Sequence, residues 1–295
     1  MNSPKHVSDR DETAEKDPMM EITIRRLSTP EEYRACVALQ NDIWGGRFTE
    51  TVPPLILMIG QKIGGVTAGA FDADGNLQGF VFSLMGMKDG RLVHWSHMLG
   101  VREGLRDHGL GRRLKYFQRD LVREMGVEII YWTIEPLEAR NAHLNLNRLG
   151  TRVTEYVPDM YGGDIDSDLQ RGIGVDRFIV AWHIGEKDDK DALPEHVERD
   201  TSAFGQAPVV NTNLAEGGVP VPIACAPQAV PMVRIEIPDQ ILAVQKASLE
   251  LAGRWRASTR EAFLWYQEHG YQVAAFYRDP ESGRCFYVLT AGEEG

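Results

Sequence analysis

Three consecutive apolar runs restrict the fold of this chain more than any other feature of its sequence. The runs GGVTAGAFDA, LQGFVFSLMG and RLVHWSHMLGV have the composition of strands, and the pairs Asp74-Gly75 and Asp89-Gly90 separate them. An Asp-Gly pair between two such runs is a strong signal for a tight hairpin turn. The sequence therefore predicts an antiparallel meander of three strands.

Strand and helix patterns continue on both sides of the meander. EITIRRL before it is typical of a strand, and a helix then begins at Ser28 or Thr29 as N-cap, with Pro30 in its first turn. After the meander, apolar residues recur at three- and four-residue spacing over 110–125, which indicates a helix with one face on a sheet. The strand EIIYWTI, the helix ARNAHLNLNRLG and the strand RFIVAWHI follow. We expect an α/β (α+β) fold whose mixed, mostly antiparallel sheet is flanked by helices.

Composition divides the chain into four regions. Residues 1–18 are polar and predict a disordered leader, whereas residues 20–185 contain the patterns described above. Residues 186–231 are acidic and then rich in Pro, Ala, Gly and Asn, which is typical of a linker or a surface arm. Residues 232–295 alternate strands and a helix again and predict an additional α/β C-terminal region. Because YQEHGYQV echoes LNRLGTRV, this region is either half of a repeat or only similar by chance.

Charge and cysteine content exclude several classes of function. The 295 residues carry a formal net charge of −11, whereas a general nucleic-acid binder needs a broad basic face. Cys36, Cys225 and Cys285 are isolated, so the sequence predicts neither a disulfide framework nor a cysteine-based metal site. No apolar run is long enough to span a bilayer, and the first twenty residues lack the apolar core of a signal peptide. We expect a cytoplasmic protein without a metal, nucleic-acid or membrane partner.

Positive charge is concentrated between the meander and the helix that follows it. Residues 102–123 carry seven Arg or Lys and three acidic residues, and Arg106, Gly109 and Gly111 give the spacing RxxGxG. Unpaired amides at a helix start, the helix dipole and close backbone approach at glycine all favour phosphate oxygens. A P-loop would need Lys-Ser or Lys-Thr after the glycines, and a dinucleotide fingerprint would need a glycine at Leu114. The stretch predicts a pyrophosphate site, with a purely structural helix start as the alternative.

The order of these elements, together with RDHGLG, resembles the GNAT superfamily of acyl-CoA N-acyltransferases. The resemblance covers roughly residues 20–185; it is complete at the RxxGxG loop and looser over the N...L...LG stretch. It implies the GNAT fold, with acetyl-CoA or succinyl-CoA as cosubstrate in a cleft between two splayed strands. The loop amides would hold the pyrophosphate, and main-chain groups before the loop would pair with the pantetheine arm. The residues implied in binding are Leu99, Gly100, Val101, Arg106, His108, Gly109, Leu110, Gly111, Arg112 and Asn141.

Acyl transfer to an amine needs a base and a donor for the developing oxyanion. His97 is the candidate base, because imidazole titrates in the useful range, and a half-buried strand histidine is the alternative interpretation. Glu135 is the second candidate. His94 lies three residues before His97 and points to the opposite face of a strand, so the two do not form a metal pair. The resemblance implies the backbone N–H of Leu99 or of a neighbouring residue as oxyanion donor.

The sequence departs from the family pattern at the acid that protonates the leaving thiolate. Many family members have a tyrosine four residues before the helix-ending glycine, where this chain has Leu146. Tyr156 and Tyr161 follow in the next loop and are the candidate substitutes, although loop aromatics also serve packing. Tyr266 stands four residues before Gly270, but no RxxGxG precedes it.

The predicted function is direct transfer of an acetyl or succinyl group to the amine of a small metabolite, with an amino acid as the expected example. The long C-terminal extension resembles an atypical branch of acyl-CoA:amino-acid N-acyltransferases. A carboxylate-bearing acceptor would need a basic partner, and Arg140, Arg177 and Arg260 are candidates because of their charge. The alternative is that each of them is an ordinary arginine that forms an ion pair or lies on the surface. A CoA-binding sensor or scaffold without turnover is the second hypothesis, and a protein amine as acceptor is the third. A homodimer is compatible with each of these functions.

Overall fold

A computed structural model describes residues 22–46, 48–106, 108–162, 173–185 and 203–292. The predicted leader, residues 1–18, and residues 186–202 of the predicted linker lie outside this range. The strands of the larger sheet are β1 Thr23–Arg26, β2 Val66–Phe71, β3 Leu77–Lys88, β4 Arg91–Val101, β5 Ile129–Ile134, β6 Arg152–Val157 and β7 Arg177–His183. The helices that accompany it are α1 Pro30–Trp44, α2 Pro54–Lys62, α3 Leu110–Arg123 and α4 Ala139–Ala142, which continues as a π-helical turn over His143–Arg148.

The larger sheet has seven strands in the order β1-β2-β3-β4-β5-β7-β6. Strands β2, β3 and β4 form the predicted meander, and the two Asp-Gly turns use left-handed backbone at Gly75, Asp89 and Gly90. Every pair of neighbouring strands is antiparallel except β4 and β5, which are parallel. The predicted fold class is therefore confirmed, and the order of elements is the one that the sequence predicted, with helix α2 and strand β6 as additions.

The start of α1 shows how the sequence determines where a helix begins. Thr29 is the N-cap: its hydroxyl accepts a hydrogen bond from the Glu32 amide, while the Glu32 carboxylate accepts one from the Thr29 amide. This reciprocal capping box, with Pro30 in the first turn, satisfies amides that have no partner within the helix. The apolar side of α1 then packs on the sheet through Tyr33 and Leu39.

Helices cover both faces of the larger sheet. On one face, α1 and α2 enclose a core that includes Leu39, Leu57, Phe80 and Phe82. On the other face, α3 packs through Leu114 and its apolar neighbours. Helix α2 was not predicted, because PLILMIGQK begins at consecutive prolines and is apolar on nearly every side. Its outward side chains stay exposed, so a search for one apolar stripe does not detect it.

The C-terminal region forms a second sheet that shares the α3-side core. Its elements are β8 Thr212–Leu214, β9 Pro220–Pro222, β10 Met232–Ile237, α5 Ile241–Ala247, α6 Leu249–Glu268, β11 Tyr271–Arg278 and β12 Cys285–Ala291. Strands β10, β12 and β11 are antiparallel in that order, and β8 pairs with β9 as a separate hairpin. The ring of Phe263 on α6 lies 4.8 Å from that of Phe178 on β7 and 5.4 Å from that of Tyr287 on β12. The two sheets are therefore joined by one aromatic core.

The described part of the predicted linker packs against the C-terminal sheet. The buried side-chain amide of Asn211 accepts a hydrogen bond from the Glu236 amide at 2.7 Å and donates one to the Glu236 carbonyl at 2.9 Å. These bonds fix residues just before β8 along the edge of β10. Over the described ranges, none of the helices has both the length and the apolar character required to cross a bilayer.

Candidate active site at the splayed strands

The parallel pair β4 and β5 separates soon after it forms. The two strands pair only at His94 with Ile130 and at Trp95 with Tyr131, and they diverge beyond these positions. A cavity of about 370 Å³ lies in the resulting gap and contacts both strands, α3, α4 and the C-terminal helix α5. This volume is in the range of small-molecule sites. The family resemblance implied a cleft at this place.

A β-bulge at His97 sets which side chains of β4 face the cavity. Two consecutive residues of β3 pair with Ser96 and Met98, so His97 has no opposite residue. Because one extra residue reverses the alternation, Leu99 faces α3, and its side chain lies 3.7 Å from the position that a Gly111 Cβ would occupy. Before the bulge, His94 and Ser96 also face α3. The bulge therefore presents His97 on the opposite face, as an added side chain in the cavity wall.

The His97 ring is accessible from the cavity and packs edge-to-face against the Phe82 ring. Its centroid lies 6.0 Å from that of Phe82 in an edge-to-face arrangement. The walls around it desolvate the imidazolium and lower its pKa, although the nearby Glu50 carboxylate opposes this shift. Within the described ranges, no hydrogen bond to the ring is found. His97 therefore has the properties of a base: it is neutral near pH 7, open to the cavity and not engaged by another side chain.

The glycine-rich start of α3 lies just beyond the end of β4. Gly109 is the N-cap with φ 79° and ψ 3°, a left-handed conformation that favours glycine, and no side chain caps the helix. The first bond of the helix runs from the Arg113 amide to the Gly109 carbonyl, so the preceding amides have no acceptor within the helix. Among the described residues, and apart from the chain neighbours of Gly109, no heavy atom lies within 4 Å of a Cβ added at this position. The loop is therefore open on the side to which this Cβ would point.

The other residues that the resemblance placed at the cosubstrate have different surroundings. Arg106 is exposed, and its Nε donates to the Val101 carbonyl at 3.3 Å, which ties the loop to the end of β4. His108 is also exposed, and Arg112 is half-buried. Leu110 is buried, so its side chain belongs to the core beneath the loop.

Gly100 is required by packing. A Cβ at this position would lie 2.6 Å from Ile43 Cδ1 and 2.8 Å from Phe80 Cε1. The absence of a side chain lets α1 approach β4. Gly100 therefore contributes to the site by allowing α1, which ends at Trp44 in the cavity wall, to lie close to the strand.

Asn141 lies across the gap from β4, at the start of the helical segment α4. Its side-chain and main-chain oxygens both accept hydrogen bonds from the side-chain amide of Asn145, each at 2.7 Å. Asn145 is buried, and its own oxygen accepts from the Trp132 indole at 2.8 Å. Asn145 was missed by the sequence analysis, and it orients Asn141. Leu146 is 6 % exposed and belongs to the core, so no acid takes the family position in the cavity.

The three candidate tyrosines have different environments. The Tyr161 ring lines the cavity, and its hydroxyl lies 2.8 Å from Thr133 Oγ1 on β5. Tyr156 is buried and hydrogen bonded to Asp176; burial and that carboxylate raise its pKa well above the ordinary value. Tyr266 is buried in the C-terminal region. Of these three hydroxyls, that of Tyr161 is placed to reach a substrate.

Glu135 lines the cavity as part of an ion-pair network. One carboxylate oxygen accepts from Arg177 at 2.8 Å, and the other accepts from Arg256 at 2.6 Å and from the Leu137 amide at 2.9 Å. Both oxygens of the Glu135 carboxylate therefore already have guanidinium partners within the protein. The geometry gives Glu135 a structural role, in which it joins α6 to the cavity wall.

The arginines that were candidates for a substrate carboxylate are largely engaged within the protein. Arg177 contacts Glu135, as described above, and Arg260 contacts the carboxylates of Asp159 and Asp176. Arg140 is exposed on α4. Arg177 and Arg260 therefore already have anionic partners.

Two titratable residues that line the cavity were not among the candidates from the sequence. Glu138 lines the cavity next to α4, and burial raises the pKa of its carboxyl, an effect that Arg140 partly offsets. Lys115 lines the cavity from α3 and is only 4 % exposed. Burial lowers the pKa of Lys115 to about 7. A signal was present in the sequence, because Lys115 and Gln118 interrupt the side of α3 that the apolar spacing predicts to be buried.

No cluster of three or more His, Cys, Asp or Glu side chains within the described ranges is arranged to hold a metal ion.

No protein-family model and no curated protein matches the sequence. The chain is similar to solved structures of a ribosomal-protein-S18-alanine N-acetyltransferase from Escherichia coli (TM-score 0.44, 17% identity, 58% of this chain and 98% of that chain) and of a GNAT-family acetyltransferase from Streptococcus pneumoniae (0.44, 16%, 56% and 100%). It is also similar to a chain of the NatC complex bound to Gag peptide and CoA (0.43, 16%, 56% and 99%). Since these TM-scores are below 0.5, the geometry of the chain itself must support any function.

Proposed function

We propose that this chain is an acyl-CoA-dependent N-acyltransferase of the GNAT superfamily. It transfers an acetyl or succinyl group directly to the amine of a small metabolite, with an amino acid as the expected acceptor. The observation that supports this most strongly is the arrangement of three features along β4. The unpaired end of β4 and the accessible ring of His97 line the cavity, and the glycine-rich start of α3, which no side chain caps, follows just beyond that end of the strand.

In this proposal, the cosubstrate extends from the start of α3 into the gap between the strands. The amides from His108 to Arg112 hold the pyrophosphate, because they lack helical acceptors and lie at the positive end of the helix dipole. The main chain of Leu99 and Val101 pairs with the pantetheine arm along the edge of β4 that β5 leaves open. Asn141, oriented by Asn145, contacts the arm from the other side.

The chemistry needs one proton to leave the amine and one to reach the thiolate. His97 takes the proton of the acceptor nitrogen, which attacks the thioester carbonyl carbon so that a C–N bond forms and the C–S bond breaks. The backbone N–H of Leu99 stabilises the oxyanion during attack. Tyr161 gives its proton to the departing thiolate, because its hydroxyl faces the cavity from the side opposite β4.

The walls of the cavity favour a small acceptor over a protein amine. Ile241 and Leu242 of α5 line it, and so does Tyr161 of the loop after β6. Glu50 and Glu138 bring negative charge to the same space, which suits the ammonium group of a free amino acid or amine.

A CoA-binding sensor or scaffold is the second candidate function, and the burial of Leu146 favours it. A thiol-release assay with acetyl-CoA and succinyl-CoA over a panel of amino acids and amines separates the two. We expect thiol release with at least one pair. Tight CoA binding without thiol release for any acceptor would favour the sensor.

The variant His97→Gln tests the base. Glutamine keeps a polar group in the wall but cannot take up the proton, so turnover should fall by about 10² to 10⁴-fold while the affinity for CoA stays unchanged. His183→Gln, at the exposed end of β7, is the matched control and should keep full turnover. Wild-type turnover in His97→Gln at neutral pH would remove His97 from the mechanism.

A further inference from the structure

Lys115 is a buried lysine that forms no ion pair with any described residue. It is 4 % exposed, and its Nζ donates to Ser96 Oγ at 2.7 Å and lies 3.7 Å from the centroid of the Trp132 ring. No carboxylate among the described residues forms an ion pair with it. Removing an ammonium group from water without a counter-charge is costly, so buried lysines are usually paired or serve a function.

The polar neighbours of Lys115 are also incompletely satisfied. Ser96 Oγ, which accepts from Lys115, donates to Gln118 Oε1 at 3.1 Å, but Gln118 Nε2 has no partner within the described ranges. The same holds for both ring nitrogens of His94, which is fully buried. Burial, and secondarily the charge of Lys115, lower the pKa of His94 to about 4, so its ring is neutral near pH 7 and has one N–H to donate. The cluster thus offers donors from three side chains and contains no acid.

The cluster opens into the same cavity as His97. Ser96 and Lys115 line this cavity on the α3 side of the sheet, whereas His97 lines it on the other side. The cavity can reach both faces because β4 and β5 diverge after two paired residues. A molecule that reacts beside His97 can therefore extend through the gap between the strands toward the ammonium group of Lys115.

We infer that Lys115, held in place by Ser96, binds a carboxylate on the α3 side of the cavity. A carboxylate supplies the missing negative charge and accepts from the ammonium hydrogens that Ser96 does not engage. The inference rests on the proposed function, in which two substrates carry such a group. One source is the distal carboxylate of a dicarboxylic acyl group on CoA, and the other is the carboxylate of an amino-acid acceptor.

The variant Lys115→Met tests the subsite, because methionine keeps the length and removes the charge. Lys62→Met, at the exposed end of α2, is the matched control. Calorimetric titrations of wild type and both variants with CoA, acetyl-CoA, succinyl-CoA and free succinate give the binding constants. Thiol-release kinetics with an amino acid and with the amine that lacks its carboxylate give the acceptor preference.

If the acyl group is the source, wild type binds succinyl-CoA more tightly than acetyl-CoA by about tenfold or more, and Lys115→Met loses this difference while keeping its affinity for CoA. If the acceptor is the source, Lys115→Met keeps the preference between the two thioesters but loses the preference for the amino acid over the amine. Lys62→Met should match wild type in both experiments.

Failure of the proposed function has a separate signature, which is that no CoA thioester binds to wild type. In that case, binding of free succinate to wild type and not to Lys115→Met still supports the subsite. The inference is overturned if Lys115→Met behaves as wild type toward all four titrants and both acceptors. It is also overturned if wild type binds neither succinyl-CoA nor succinate and shows no preference for the amino acid over the amine.

Discussion

At the residue scale, the site depends on which side chains the fold buries. His97 was a candidate from the sequence because imidazole titrates in the useful range, and its ring lines the cavity, while its role as base stays a prediction. The roles of Glu135 and Lys115 could not be predicted from the sequence. Glu135 pairs with Arg256, which is 121 positions further along the chain, and Lys115 reaches the cavity only because β5 turns away from β4. Such relations depend on tertiary packing, which local sequence patterns do not contain.

The charge of Lys115 should make stability depend on pH in a specific window. Its pKa is lowered to about 7 in the folded chain from an ordinary value of 10.5, so the unfolded state binds more protons between these values. Folding stability therefore rises with pH across that window, and the full cost of burying the charge is present below it. Lys115→Met removes this cost and should be more stable than wild type at pH 7, with a difference that shrinks by up to about 1.4 kcal/mol per pH unit toward pH 9.5.

Urea unfolding of both proteins at several values between pH 7 and 9.5 measures this difference. His94, which faces Lys115 from β4, does not titrate in this range, because its pKa is about 4 in the folded chain and near 6.5 when exposed. A difference that stays constant with pH would mean that the Lys115 ammonium has a compensating anion.

At the element scale, the start of α3 was predictable and the bulge of β4 was not. Glycines and arginines before an apolar period mark a helix start in any chain, and Gly109 has the left-handed backbone that this position requires. The bulge has no comparable signal in the sequence. The extra residue, His97, fits the apolar and polar alternation of β4 both before and after the bulge. The pairing with β3 shows the bulge, and it also explains why Leu99 faces α3.

Substitution of Gly109 tests the role of this helix start. Gly109→Glu places a carboxylate beside the amides and should lower the affinity for CoA at least tenfold, since like charges repel at the pyrophosphate. Gly109→Ala is the control for backbone strain, because it also forces a side chain into a left-handed conformation but adds no charge. Calorimetric titration with CoA measures both. Equal losses in the two variants would assign the effect to strain, and unchanged affinity in Gly109→Glu would contradict the loop assignment.

At the scale of the whole molecule, the two sheets share one hydrophobic core. The hydroxyl of Tyr287 on β12 donates to the Pro136 carbonyl after β5 at 2.9 Å, and Phe263 packs between rings of both regions. The sequence predicted a separate C-terminal region. It could not show the contact between Tyr287 and Pro136, because these residues lie 151 positions apart. Whether the region is half of a repeat stays a prediction.

The variant Phe263→Ala tests this coupling. Phe263 is 2 % exposed, so its removal leaves a cavity between the sheets and should cost about 3 to 5 kcal/mol of unfolding free energy. Tryptophan fluorescence and far-ultraviolet circular dichroism should report one common transition in wild type and in the variant. Leu264→Ala, on the exposed side of the same helix, is the control and should change stability by less than about 1 kcal/mol. Separate transitions for the two probes would show that the regions unfold independently.

The wall formed by Ile241 and Leu242 has a consequence for how substrate choice can change. The proposed pyrophosphate loop and the start of α5 belong to distant segments of the chain, so each can vary while the other is kept. Under the proposed function, replacement of the few residues at the start of α5 would reshape the space for the acceptor and leave the proposed pyrophosphate site unchanged. Acceptor preference would then change independently of cosubstrate binding.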